Sequence, residues 1–309
     1  MSEILKIFVP THNVSIKDND TFVPIQVGAE LHKDMDLCPL KDNTGDNISD
    51  RNCYYCELTA IYWVWKNYKR LYPNLKYVGF CHYRRWFDFG NDADMILHNP
   101  DQYFDNDQKI ILFNKEGYGV KSIRWCYYSD HLYQDFDMDM DIIHDTDKPF
   151  YEFCKEYFNT KNTLFYGKNS FIMSVGNFER YCSFMFGLLF EHDKRFGITP
   201  KNYKNHSDKC QQESPYLILD RNDQARFNGF TSERIGSAWF LFNHFDIHSY
   251  PYVWNNKYDI SQTPVDYLHV SSRRFNPLII RNNINRVHSI GLVNNNRAAI
   301  IRRFIKKMK

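Results

Sequence analysis

The segment KYVGFCHYRRWF (76–87) carries an apolar run straight into His82, Tyr83, Arg84 and Arg85. Two adjacent guanidiniums beside an imidazole are suited to holding an anion, because guanidinium donors pair with phosphate oxygens through charge-assisted, two-pronged hydrogen bonds. The alternative is an Arg pair that bridges structural carboxylates. His82 is either a donor to the same anion or a satisfied core histidine. The loop DNTGDNIS (42–49) precedes a helical run. Backbone N–H groups at such a helix start bind phosphate-bearing ligands, which makes Asn43, Asp46, Asn47 and Ser49 candidate contacts. Aspartates alternate in DFDMDMD (135–141), and Asp-x-Asp triplets stand at 18–20, 92–94 and 105–107. None follows an apolar strand directly. Hard cations need several oxygens converging on one point, whereas alternating Asp on a helix diverge. The 135–141 run therefore reads as a solvated acidic face and no metal is expected, with a metal-holding Asp-x-Asp as the alternative. Carboxylates placed to accept a proton are Glu233 in GFTSER, then Asp130 in YSDH and Glu57 in CELTA.

These residues need a frame, and the order of elements supplies one. Short β-type runs occupy 4–10 and 22–28, and a long helical segment spans 53–72, capped by Ser49 or Asp50. A strand at 76–82 follows at once, giving a strand, crossover helix, strand unit and hence a parallel sheet. Further strands are predicted at 109–113, 169–174 and 246–253. Helices are predicted over 124–146, 148–158, 175–196 and 229–244, the last capped by Thr231 or Ser232, and the polar stretch 199–214 shows little periodicity. Open α/β sheets bind ligands outside the carboxyl ends of their strands. The loop after Val9, the 41–52 loop and the HYRR segment all fall there.

The 309 residues suffice for one large α/β domain, or one with a smaller appendage. A mean hydropathy of −0.58 and the lack of any apolar run near the roughly 20 residues that span a bilayer argue for a soluble chain. No signal peptide is read at the start, so the eight cysteines are expected to be reduced and cytosolic. Cys53 and Cys56 read as ordinary thiols rather than zinc ligands. Phe and Tyr number 25 and 22, a supply that suits sugar or base stacking but is equally explained by an aromatic core. Net charge is only +2, yet no acidic residue follows Asp266, while ten Arg and Lys do. The final RAAIIRRFIKKMK reads as a basic amphipathic helix. It either lies on an anionic membrane surface or docks on the domain. The charges sit in a tail and no nucleic-acid module is present, so nucleic acid is not an expected partner.

IFVPTHN, PIQVGAEL, DNTGDNIS, NCYYCELTAIYWVWKN, VGFCHYRRWF, GKNSFIMS and GFTSERI occur in this order between about residues 5 and 245. The set resembles a family of bacterial capsule, exopolysaccharide and O-antigen biosynthesis proteins long described only as a domain of unknown function. Its characterised members look like glycosyltransferases, some of them galactofuranosyltransferases. The resemblance implies a GT-A-like (Rossmann-like) mostly parallel sheet flanked by helices, read as one domain over 1–255; the basic extension over 256–309 is read from its charge and carries none of these motifs. The resemblance also implies inverting transfer of a sugar from a nucleotide-sugar donor to a glycan acceptor, one carried on a polyprenyl diphosphate lipid. In that frame Thr11 and His12 sit where the nucleoside is received. Arg84 and Arg85 replace the metal that many GT-A enzymes place on the diphosphate, and Glu233 is the first choice of base. Asn169 and Ser170 line the acceptor side. No cofactor is expected beyond the donor, manganese or magnesium entering only under the Asp-x-Asp alternative. The expected location is the cytoplasm, with the tail at the inner face of the membrane. Two other readings stay open: a two-carboxylate glycan hydrolase, and a non-catalytic glycan-binding assembly protein.

Overall fold

Strand-forming runs and amphipathic helices alternate along the chain, and a computed structural model describes residues 3–16, 18–117, 120–217 and 224–254. The basic tail and its helical reading lie outside the described residues. In chain order the elements are β1 (Leu5–Thr11), β2 (Phe22–Gln26), α1 (Asn52–Tyr55), α2 (Leu58–Leu71), β3 (Tyr77–Phe80), β4 (Arg85–Phe87), α3 (Ala93–His98), α4 (Pro100–Tyr103) and β5 (Lys109–Phe113). There follow α5 (Ile123–Asp130), α6 (Tyr133–Thr146), α7 (Lys148–Asn159), β6 (Phe171–Ser174), α8 (Val175–Phe196), α9 (Tyr203–Glu213), α10 (Phe227–Phe242), β7 (Asp246–Tyr250) and β8 (Tyr252–Trp254).

The main sheet has the order β2-β1-β3-β6-β5-β7. β1 pairs parallel with β2 and β3, and β5 pairs parallel with β7. β6 runs against both of its neighbours. Five strands thus point one way, and the expected parallel sheet holds apart from β6. Its register is fixed partly by Gly79, where a Cβ would stand 2.7 Å from the Ile172 side chain across the pairing. β4 and β8 form a separate antiparallel pair. The core is strongly aromatic: Trp63, Trp86, Tyr54, Tyr55, Phe8, Phe22 and Phe80 are among the largest fully buried side chains. Burial of each is worth about 1.5–3 kcal/mol, so much of the aromatic content is spent on packing. None of the eight cysteines forms a disulfide. No helix among the described residues is long and apolar enough to cross a membrane.

Several expectations are corrected. The single helix over 53–72 is two, broken at Cys56, whose φ of +55° leaves the helical region. Ser49 does not cap it; its hydroxyl turns inward to Asp42. The 124–146 helix is broken between α5 and α6, and the featureless 199–214 stretch contains α9. α10 starts at Phe227, so Thr231 and Ser232 lie inside it, buried, rather than capping it. The 135–141 run is not a solvated face. Asp135 and Asp139 are four residues apart, share one side of α6, and are fully buried against His192.

Candidate active site

β3 delivers the HYRR segment to the carboxyl end of the sheet. Cys81 N–H still donates to Phe8 O, and then the chain turns. Arg85 N–H donates to the His82 carbonyl at 2.9 Å, and Arg84 N–H donates to His82 Nδ1 at 3.1 Å. With Nδ1 occupied as an acceptor, the neutral ring keeps its proton on Nε2. Burial, then the Arg85 and Arg84 charges, push His82 down to about 2, so it is uncharged at any working pH. Its ring stacks on Tyr83 at 4.3 Å. The Arg84 guanidinium lies 5.1 Å over Tyr83, and that of Arg85 lies 4.5 Å over Trp254. The β4–β8 pairing places Arg85 opposite Trp254. Neither arginine forms an ion pair among the described residues, and the Nε of each is buried without a partner. Among the described residues neither arginine bridges structural carboxylates directly, while the Glu233 and Glu116 charges act on Arg85 through space. Arg226 and Arg84 also bear on His12, whose ordinary value is lowered first by burial and then by these two charges. His12 meets Tyr83 edge-on at 5.2 Å. Cationic and neutral nitrogen donors thus gather at one rim.

Carboxylates face them. Glu57 precedes α2, immediately after the break at Cys56, and accepts from Asn169 Nδ2 at 2.8 Å. Asn169 also donates to Ser232 Oγ at 3.1 Å, which ties Glu57 to α10 one residue before Glu233. Burial raises the Glu57 carboxyl above its ordinary range, and the Glu233 charge adds to that. Glu233 accepts from Arg234 at 3.1 Å. The Arg234 guanidinium is buried against the faces of Tyr127 and Phe165. Across the site Lys168 pairs with Glu116. Three non-glycine residues here have positive φ: Cys56 at 55°, Lys168 at 76° and Asn169 at 46°. Each such conformation costs on the order of 1–3 kcal/mol and tends to mark functional sites. Gly229 completes the wall, since a Cβ there would stand 2.9 Å from Cys56 Sγ. Only a glycine lets α10 approach this closely.

A model of the family described as Domain of unknown function (DUF4422) matches residues 6–211, two thirds of the chain. The chain belongs to that family. Among solved structures it is similar to the apo form of the WbbM bifunctional glycosyltransferase, with a TM-score of 0.62 and 21% identity over 82% of this chain and 45% of that one. At that identity the likeness is one of fold: a mostly parallel GT-A-like sheet between helices. The chain spans less than half of the WbbM chain. No curated protein matches the sequence.

In this DUF4422 chain the residues singled out from sequence divide into two groups. His12, His82, Arg84, Arg85, Glu57, Asn169 and Glu233 come together. Thr11 ends β1 beside them, but its own hydroxyl is buried and donates to Val14 O. Ser170 is buried and donates to Lys168 O. The 42–49 loop instead runs along α2: Trp63 donates to Thr44 O, and Asn67 to Asp46 O. Asp46 also accepts from Tyr62 OH, while Asn47 donates to Gly45 O. Asn67 lies ten residues beyond Glu57, about 15 Å along a helix axis. Asp46 and Asn47 therefore build the loop away from the HYRR cluster. Ser49 is fully buried on Asp42, and Asn43 leans on Glu30 at 3.5 Å. Asp130 ends α5, where its carbonyl accepts from Gln224 at 2.9 Å. Arg226, Lys168 and Trp254 escaped the sequence reading. Arg226 lies in a polar run without periodicity, and Trp254 meets Arg85 only through strand pairing; neither fact leaves a local signal.

Proposed function

We propose that the protein is an inverting glycosyltransferase that moves a sugar from a nucleoside-diphosphate donor, with Arg84 and Arg85 neutralising the diphosphate in place of a metal. The observation that carries this reading is the pair of half-buried guanidiniums at the carboxyl rim of the sheet, each with its Nε unpartnered and with no salt bridge to a carboxylate among the described residues. Transfer leaves an extra negative charge on the departing nucleoside diphosphate. Preorganised donors at that point lower the barrier without having to reorganise. The His82 Nε2–H adds a neutral donor, and His12 and Arg226 border the same rim. The acceptor hydroxyl attacks the anomeric carbon as Glu233 takes its proton. Glu57, deeper in the wall, positions Asn169 and Ser232 beneath Glu233. The motif resemblance favours uridine diphosphate galactofuranose as donor, and a capsule, exopolysaccharide or O-antigen glycan on a polyprenyl diphosphate lipid as acceptor. The basic tail would then hold the enzyme at the inner leaflet.

The test is a donor screen by isothermal calorimetry and turnover. Wild type is expected to bind uridine diphosphate, and Arg84→Ala or Arg85→Ala each to lower kcat on the order of 100–1,000-fold, the usual loss for one oxyanion donor. Brief chelator treatment should leave the initial rate unchanged. Activity abolished by chelator and restored by manganese would refute the metal-free part. A second reading rests on the Glu57–Glu233 neighbours, since two carboxylates also serve glycoside hydrolysis. It leaves the Arg pair without a task. Glycan cleavage without any nucleotide binding would favour it.

A further inference from the structure

A second constellation of titratable groups lies apart from the HYRR rim, where α6, α8 and α9 meet. His206 Nε2 stands 2.7 Å and His192 Nε2 3.2 Å from the same atom, Asp135 Oδ1. One ligand atom from each of these three residues lies within 4.8 Å of the others. The other nitrogen of His192, Nδ1, is 2.7 Å from Asp139 Oδ1. Asp135, Asp139 and His192 are fully buried, and only His206, with 11% of its side chain exposed, opens a route to solvent. The other oxygen of Asp135, Oδ2, is buried without a hydrogen-bond partner among the described residues, while the Thr231 hydroxyl bears on the Asp139 carboxylate. Such burial is costly unless a cation compensates it. Each imidazole nitrogen facing Asp135 Oδ1 either carries a proton that it donates to the carboxylate or shares a metal ion with it.

We propose that Asp135, His192 and His206 bind a divalent transition-metal ion of the zinc class, as a structural site distinct from the donor site. Imidazole and carboxylate donors suit such an ion, whereas calcium and magnesium prefer all-oxygen shells. Asp139 is the outer partner that fixes the His192 ring, the arrangement commonly found behind metal-bound histidines. A fourth position falls to water or to Cys210, whose Sγ is 3.7 Å from His206 Nε2. The ion would join three helices and brace the start of α10. The Phe227 ring packs on His192 at 5.9 Å and on His206 at 5.2 Å. The preceding residue, Arg226, turns the other way and donates to Cys56 Sγ at 3.1 Å. The site thus anchors the segment that presents Arg226 and Glu233, and it stands whether or not glycosyl transfer is the reaction.

The experiment titrates the metal-stripped full-length protein with cobalt, read by visible d–d absorption, then with zinc, read by displacement and by thermal melting. The expected result is one saturable ion per chain, displaced by zinc, with a rise in Tm. Asp139→Asn should weaken cobalt binding about 10–100-fold, the usual loss for an outer-shell carboxylate. His206→Ala, at the partly exposed edge, should lose binding while keeping the helical circular dichroism of wild type. Arg84→Ala should bind cobalt as wild type does, which separates this site from any metal on the diphosphate. Folded wild type that gives neither a saturable cobalt signal nor a zinc-dependent Tm shift would overturn the proposal and leave a proton-bridged Asp–His–Asp strut. Binding undiminished in both His206→Ala and Asp135→Asn would overturn it equally.

Discussion

His82 shows how the site's chemistry is set by its neighbours. Its Nδ1 is committed to the Arg84 N–H, and burial beside two guanidiniums holds the ring neutral. The folded value, about 2, is below the ordinary 6.5, so the unfolded chain binds the proton first. Stability is therefore expected to fall as pH drops below about 6.5, by about 1.4 kcal/mol per pH unit from this residue. Urea melts of His82→Asn, whose side-chain oxygen can still accept from Arg84, should show a correspondingly flatter acid limb. An unchanged limb would mean the imidazole is not buried beside the cations. Glu57 has the opposite sign. Its folded carboxyl is raised above 4.5 by burial and by Glu233, so ionising it costs stability as pH rises through that raised value. Glu57→Gln should then raise Tm at pH 8 and lower turnover, a trade often met where an active site stores strain. A lower Tm would show that the carboxylate is held by favourable contacts instead.

At the scale of elements, legibility followed local signals. The α8 boundaries were readable as 175–196 because Ser174 caps its start, accepting from Asn177 N–H, and Gly197 ends it in the left-handed conformation. β5 was readable as an apolar run. The antiparallel sense of β6 was not, because FIMS is apolar on both faces and direction is decided by long-range pairing. β4 was hidden inside what reads as a strand end, since Arg85–Phe87 becomes a strand only by pairing with Tyr252–Trp254. The break at Cys56 leaves no local signal for a related reason: the residues on both sides favour helix, and the positive φ falls where Cys56 packs closely against Gly229 of α10. That packing is testable. Gly229→Ala should push on Cys56, cost about 1–3 kcal/mol as overpacking does, and lower kcat by displacing Glu57. A variant with wild-type melting and turnover would show that this approach is slack.

For the whole molecule, the family and the GT-A-like fold account for the frame, and the motif set was legible because its residues return to one rim. Arg84, Arg85, His12, His82, Glu57 and Glu233 are scattered over more than two hundred positions, yet the sheet gathers them. The composition of the 42–49 loop resembles a phosphate loop, but several of its polar groups are already partnered: Asp46 with α2, and Asp42 and Ser49 with the turn after β2. The tail belongs to this scale too. Ten basic residues and no acid after Asp266 favour an anionic surface. Deletion of 297–309 should lower binding to vesicles containing anionic lipid and spare turnover on a soluble acceptor. Undiminished vesicle binding would remove the membrane role.

The most direct test is a crystal structure with uridine diphosphate bound. Its phosphates are expected within hydrogen-bond reach of the Arg84 and Arg85 guanidiniums, with no metal ion on the diphosphate. Phosphates seated away from both arginines, or held through a metal on an aspartate pair, would contradict the account.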